Sequence, residues 1–260
     1  MIELNGLTAV VTGGGNGMGR SICRAYAAAG ANVVIADIRI ELAEKVAEEI
    51  NVADGGRALA VKADVSVKTD VEALMKRAAD TFGKIDVLCN NAGIIVKKLV
   101  EEMDESDWDR TMNVNAKGVF LCSQAVLPYM KKNGGGRIIS TASVSGKVGF
   151  EQEAAYCASK AAVILYTRAL ALEAAKDNIL VNCVCPGNVA TDMMAIQLKW
   201  EHERTGTPVE ELKQAWTDVV PLGRLAQPED IANMYVFLAS EYASYLTGDA
   251  LNVAGGLVMV

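Results

Sequence analysis

Tyr156 and Lys160 stand four residues apart in the stretch AAYCASK, with only small side chains before and between them. A helix brings both to one face, one turn apart. A free phenol titrates near pH ~10 and is a poor base at neutral pH. A lysine ammonium within ~4–6 Å favours the phenolate and would make the pair an acid–base group. An ordinary amphipathic pair has the same spacing, so the pair gains meaning only from what surrounds it.

The second stretch with chemical content is TGGGNGMG, residues 12–19. Glycines permit a tight turn and close approach of a ligand to the backbone. A helix starting there aims its free N–H groups outward, which favours an anion. A strand before this loop and a helix after it are the context of a dinucleotide site. Gly13, Asn16, Gly17, Met18 and Gly19 are therefore cofactor candidates. Asp37 follows the apolar run NVVIA, 18 residues after Gly19. A carboxylate there can accept from the adenosine ribose hydroxyls and repels a 2′-phosphate, so the expected cofactor is NAD. Arg39 is the opposing feature, because an arginine could pair with that phosphate. Asp64 and Val65 close a third apolar run, and Asn91, Ala92 and Gly93 close a fourth. Both runs end on the edge where ligands of open α/β sheets bind. Asp64 could equally cap the following helix, and Asn90-Asn91 could be a turn.

Alternating elements must carry these residues. Apolar runs at 8–13, 32–37, 58–64, 85–93, 136–143 and 179–187 read as strands. A first helix places Ile22, Ala25, Tyr26 and Ala29 at helical spacing, and helices are expected near 40–50, 68–82, 106–132 and 155–176. The last segment, YLTGDALNVAGGLVMV, holds a seventh strand and an apolar tail. Uninterrupted apolar strands separated by helices imply a parallel sheet covered on both faces. Right-handed crossovers make it doubly wound, a Rossmann-type α/β fold. Residues 1–260 are expected to form one domain, with residues 188–220 as a substrate lid, because so long a connection is usually functional.

Composition narrows the classes. The chain has 260 residues, 51% of them hydrophobic, with a net charge of −7. The acidic balance disfavours a nucleic-acid partner. No apolar run reaches the ~18 residues of a membrane span, and the N-terminus lacks a signal-peptide pattern. A cytoplasmic protein is expected. Six scattered cysteines read as small buried hydrophobes, with Cys183 and Cys185 facing one side of a strand. One histidine, His202, leaves no Cys/His zinc set, and no metal is expected.

The ordered motifs resemble those of the short-chain dehydrogenase/reductase family over essentially the whole chain. TGGGNGMG is similar to its cofactor loop, and NNAG (90–93) to its fourth-strand motif. VNAKG (114–118) resembles the segment with the helix asparagine, here Asn115. SVSG with YCASK resembles the Ser, Tyr-x-x-x-Lys set, with Ser143 thirteen residues before Tyr156. PGNVAT (186–191) is similar to the segment meeting the nicotinamide carboxamide, which brings in Pro186, Gly187, Val189 and Thr191. The resemblance implies hydride transfer between NAD(H) and an alcohol or ketone. Tyr156 would be the acid/base, Lys160 its tuner, Ser143 a donor to the substrate oxygen, and Asn115 the holder of a water joining Lys160 to solvent. It also implies a helix-pair dimer interface and usually a homotetramer. The apolar helix from Ala161 to Ala175 independently suggests a covering subunit.

The substrate is less legible. Ser143, Glu153, Asn188 and Met194 are the candidate contacts, with Met193, Ile196 and Leu198 as further wall residues. Glu153 could accept from a hydroxylated substrate or be a solvated loop acid. The lid carries six acids against three bases, which disfavours an anionic substrate. The lid and PLGRL segment are similar to those of polyol and acetoin or butanediol dehydrogenases. Hydroxysteroid dehydrogenases and 3-oxoacyl reductases share the same motifs, and a non-catalytic NAD-binding protein is the reading from another class. Ala254 stands in NVAGG where relatives usually carry an acid.

Overall fold

The structure, a computed structural model, describes residues 2–53 and 57–260. Its seven-stranded sheet is wholly parallel: β1 (Thr8–Thr12), β2 (Asn32–Asp37), β3 (Arg57–Lys62), β4 (Val87–Asn90), β5 (Gly136–Thr141), β6 (Ile179–Pro186) and β7 (Ala250–Val253). The strand order is β3-β2-β1-β4-β5-β6-β7. The chain reverses direction across the sheet between β1 and β4, which pair from Ala9 with Val87 to Val11 with Cys89. That switch point opens a crevice at the carboxyl ends of the strands.

Strand alternation divides the core. Val11, Ile35, Cys89 and Ile139 face one layer. It is closed by α1 (Gly17–Ala28), α2 (Ile40–Val52) and α9 (Pro228–Ala239). Val10, Val34, Leu88 and Ile138 face the other. There α3 (Lys68–Phe82), α5 (Gly118–Lys132) and α6 (Ala154–Ala174) cover the sheet. Both faces being covered explains why the strands read as continuous apolar runs. Each fully buried Val, Leu or Ile contributes about 1.5–3 kcal/mol.

The single helix expected near 106–132 is divided. α4 (Glu105–Met112) passes into a π-turn at Asn113–Lys117 and then into α5. The Gly118 N–H donates to the Asn113 carbonyl, one residue further back than in an α-helix. Such a turn inserts a residue without breaking the helix, which periodicity does not reveal. Residues 188–220 form α7 (Asp192–Thr205) and α8 (Val209–Asp218). Five cysteines are buried and Cys157 is half-buried, and all six are free. Cys183 and Cys185 do share one side, packed with Ala142, Val163 and Ile164.

Candidate active site

The loops after β1 and β4 are stitched together at the switch point. Thr12 Oγ1 accepts from the N–H groups of Asn91 (3.1 Å) and Ala92 (3.2 Å). Asn91 Nδ2 donates to the carbonyls of Thr12 and Gly13, both at 3.1 Å. Gly13 has φ of +62°, and a Cβ there would lie 2.8 Å from Ala92 Cα. The position therefore requires glycine twice over, for its backbone angle and for its space. Gly19 faces the Gly13 carbonyl so closely that any side chain would collide with it.

Asn16 caps α1 by accepting the Gly17 N–H at 2.7 Å. Its Nδ2 donates to Asp192 on α7 at 2.6 Å. Gly17 faces Thr191, and Thr191 caps α7 through the Met194 N–H. Beyond Gly17, the first-turn N–H groups of α1 have no partner within the helix. A phosphate could take them.

Asp37 is buried rather than solvated. Its Oδ2 accepts the Gly15 N–H at 3.1 Å, and its Oδ1 the Arg39 N–H at 3.0 Å. Each oxygen keeps a free lone pair for a ribose hydroxyl. Arg39 is exposed and makes no ion pair among the described residues. Glycines that tolerate no side chain, a helix N-terminus and a carboxylate at the end of β2 fit a dinucleotide. Asp64 and Val65 lie at the end of β3 but do not border the main cavity. Asp64 Oδ1 accepts from the Ser66 N–H and hydroxyl at 2.9 and 2.7 Å, and Val65 packs on Gly118.

A cavity of about 410 Å³ opens beside this cradle. Met18, Asn91, Gly93, Pro186, Gly187, Val189 and Thr191 border it on the cradle side, and Ser143, Tyr156 and Lys160 on the other. Ser143 follows β5 and caps a short 3₁₀ turn by accepting the Ser145 N–H at 3.1 Å. Tyr156 and Lys160 share one face of α6. Lys160 Nζ is 5.5 Å from the Tyr156 ring centroid and donates to the Thr141 carbonyl at 2.7 Å.

Burial opposes the expected electrostatics of this pair. Burial pushes the Tyr156 phenol well above its usual range, the Ser143 hydroxyl pulls it back, and the Glu153 charge raises it further. Burial lowers Lys160 from 10.5 to about 8. Desolvation dominates at Tyr156, and the Lys160 ammonium is turned to the Thr141 carbonyl.

Asn115, within the π-turn, is fully buried. Its Oδ1 accepts the Ile94 N–H at 2.8 Å, and its Nδ2 donates to the Ile94 carbonyl (2.9 Å) and to Ser159 Oγ (3.0 Å). Both side-chain donors are thus spent on protein groups.

The far half of the cavity holds surprises. Glu153 is 9% exposed, not a solvated loop acid. It accepts from Ser145 Oγ at 3.1 Å and faces Lys97 Nζ at 3.7 Å. Asn188 Nδ2 donates to the Trp216 carbonyl on α8 at 3.1 Å. Met194 and Leu198 pack with Leu225, whereas Ile196 is exposed and lies off the wall. Met193 and Met194 border the cavity. Trp216 of the lid borders it too, as do Lys97, Thr141 and Leu257, to which no sequence motif points. The signal for Lys97 was a lysine ending an apolar loop directly after NNAG. Ala254, at the place of the usual acid, packs against Gly187.

The short chain dehydrogenase family matches residues 7–202 of the chain. The chain belongs to this family. Among curated members, this short-chain dehydrogenase is 42% identical to meso-2,3-butanediol dehydrogenase of Serratia marcescens, over 95% of this chain and 92% of that one. It is 38% identical to a 3-oxoacyl-[acyl-carrier-protein] reductase of Aquifex aeolicus, over 98% and 99%. The crystal structure of a short-chain type dehydrogenase/reductase from Mycobacterium marinum superposes with a TM-score of 0.90 at 34% identity, covering 99% of this chain and 98% of that one. The short-chain dehydrogenase is therefore an oxidoreductase by family, with relatives of differing substrate.

Proposed function

We propose that this short-chain dehydrogenase transfers hydride between NAD(H) and a secondary alcohol or ketone, with a polyol, diol or acetoin-like compound as substrate. The observation that carries the reading is that Ser143, Tyr156 and Lys160 line one cavity together with Met18 of the glycine loop and with Asn91 and Gly93. NAD(H) supplies the hydride acceptor or donor. Gly13, Asn16, Gly17, Met18 and Gly19 would hold its phosphates, Asp37 its ribose, and Pro186, Gly187, Val189 and Thr191 its nicotinamide end. Asp37 favours NAD over NADP because a buried carboxylate repels a 2′-phosphate.

Ser143 donates a hydrogen bond to the substrate oxygen and orients it. In ketone reduction the Tyr156 phenol gives its proton to that oxygen, and in alcohol oxidation it takes the proton back. Lys160 holds the positive charge beside the phenol. Asn115 fixes Ile94 and Ser159, and so positions the loop after β4 against α6. α7 and α8, the segment read as a lid, close the substrate side. The Serratia relative supports a diol or hydroxyketone, and the Aquifex relative makes a 3-oxoacyl thioester the second reading. Leu165 and Leu172 on α6 are 66% and 85% exposed, which supports burial in a homotetramer or homodimer. No described helix is long and apolar enough to cross a membrane, and a cytoplasmic setting with reduced cysteines fits the free thiols.

A panel of diols, polyols, steroids and acyl thioesters, followed at the reduced nicotinamide absorbance, tests the reading. Tyr156→Phe should lower kcat by about 10²–10⁴ and leave NADH binding intact. An unchanged kcat in that variant would refute the role of Tyr156.

A further inference from the structure

The cavity contains a second polar group, a lysine–carboxylate pair, beside the Ser143, Tyr156 and Lys160 set. Lys97 lies in the loop between β4 and α4, and Glu153 lies immediately before α6. Their side chains are 12% and 11% exposed, and the Lys97 Nζ to Glu153 Oε1 distance is 3.7 Å. That is an ion pair but too long for a hydrogen bond. Lys97 makes no hydrogen bond among the described residues. Its other neighbour is the Trp216 ring, whose centroid is 5.7 Å from Nζ. Glu153 accepts from Ser145 at 3.1 Å and has further lone pairs. Two charges have therefore been withdrawn from water without spending their hydrogen-bonding capacity on each other. Such a pair is costly unless further hydrogen bonds complete it.

A hydroxyl group matches both halves. Its oxygen accepts from the Lys97 ammonium while its proton goes to the Glu153 carboxylate, each at about 2.8 Å. A carboxylate or phosphate would be attracted by Lys97 but repelled by Glu153 at the same point. We propose that Lys97 and Glu153 form a recognition point for one substrate hydroxyl that is not the reacting one. This rests on the hydride-transfer reading above and assigns the substrate class to neutral hydroxyketones and their diols. Trp216 and Ser145 hold the pair: the indole lies against the ammonium, and the Ser145 hydroxyl orients the carboxylate. Ser145 also donates its N–H to Ser143, so the hydroxyl reader and the group facing the reacting oxygen share one turn.

The test compares kcat/KM with NADH for 3-hydroxy-2-butanone and 4-hydroxy-2-butanone against 2-butanone and 2-oxobutanoate. The wild-type enzyme should prefer one hydroxyketone over 2-butanone by at least about tenfold. Lys97→Met and Glu153→Gln, which keep side-chain volume, should each reduce that ratio by about tenfold or more. The ratio is the readout because loss of the Glu153 charge also alters Tyr156, and that effect is common to all four substrates. Urea midpoints of both variants check folding. A ratio unchanged in both variants overturns the proposal. So does a wild-type preference for 2-oxobutanoate that Lys97→Met abolishes, which would make this an anion site. Turnover of an acyl thioester without any preference for a hydroxyketone also overturns it, while leaving hydride transfer standing. If the wild type turns over no carbonyl or alcohol with either nicotinamide cofactor, the hydride-transfer reading falls and this proposal with it.

Discussion

Replacing Lys160 by methionine should remove activity and at the same time alter how stability depends on pH. Lys160 is buried, and burial lowers it from 10.5 to about 8. Its folded value lies below its unfolded value. Between those values the unfolded chain holds the extra proton, so this group makes stability rise with pH from about 8 to 10.5. Below that window the native state carries a buried ammonium at a cost of about 3 kcal/mol. Methionine removes that cost but leaves the Thr141 carbonyl without its donor, which returns about 1–3 kcal/mol. The two nearly offset at neutral pH, so the variant should be as stable as wild type or slightly more stable. By pH ~10 the wild type regains about 2.5 kcal/mol from deprotonation and the variant regains nothing. Urea denaturation at pH ~7 and ~10, at one protein concentration and without cofactor, measures the difference. Other titrating groups cancel between the two proteins. A difference constant to within about 0.5 kcal/mol across that range would refute the argument.

Three further outcomes follow from the cradle and the surface. Gly13→Ala must adopt a positive φ, costing about 1–2 kcal/mol, and meets backbone at Ala92, so NADH Kd should rise at least about tenfold. Gly149→Ala is the control, since nothing lies within 4 Å of its would-be Cβ. Equal NADH affinity in the two variants would remove Gly13 from the site. Asp37→Ser should shift the NADPH to NADH ratio of kcat/KM upward by at least about tenfold, read as a ratio because Asp37 also holds the Gly15 N–H. Leu172→Asp, on the exposed face of α6, should reduce the mass found by sedimentation, whereas a wild-type monomer would rule out the proposed assembly.

What could be read before the fold was known is what depends on local pattern. The strands show as apolar runs because both sheet faces are covered, and Asp37 and Asn91 follow from being the residues where such runs stop. Tyr156 and Lys160 share a face by helical periodicity alone. The missed features depend on distant parts of the chain meeting. Lys97 and Glu153 come from different crossovers: Glu153 is legible as a substrate candidate beside Tyr156, but Lys97 alone looks like a solvent charge and their pairing needs the fold. The π-turn at Asn113–Lys117 leaves the apolar pattern nearly unchanged, so it hid inside a long helix. Asp64 and Val65 sit at the sheet edge expected for a cofactor, and their local bonds to Ser66 and packing on Gly118 are compatible with that role. Desolvation also has no sequence signature, which is why the sign of the Tyr156 shift came only with the structure.

That sign bears on how the site rests. Burial moves the phenol up and the ammonium down, so it favours the neutral form of both. At neutral pH Tyr156 keeps its proton, and Lys160, with a value of about 8, is mostly charged. The ammonium is engaged by Thr141, not by the phenol oxygen. The resting site is thus set as a proton donor, the form that ketone reduction requires. Oxidation needs the phenolate, whose formation burial opposes. Glu153 adds to that cost, since its negative charge also raises Tyr156. A substrate hydroxyl spread between Lys97 and Glu153 would offset part of the Glu153 charge. In that arrangement the group that selects the substrate also eases the ionisation of Tyr156, so recognition and acid–base chemistry meet in one carboxylate.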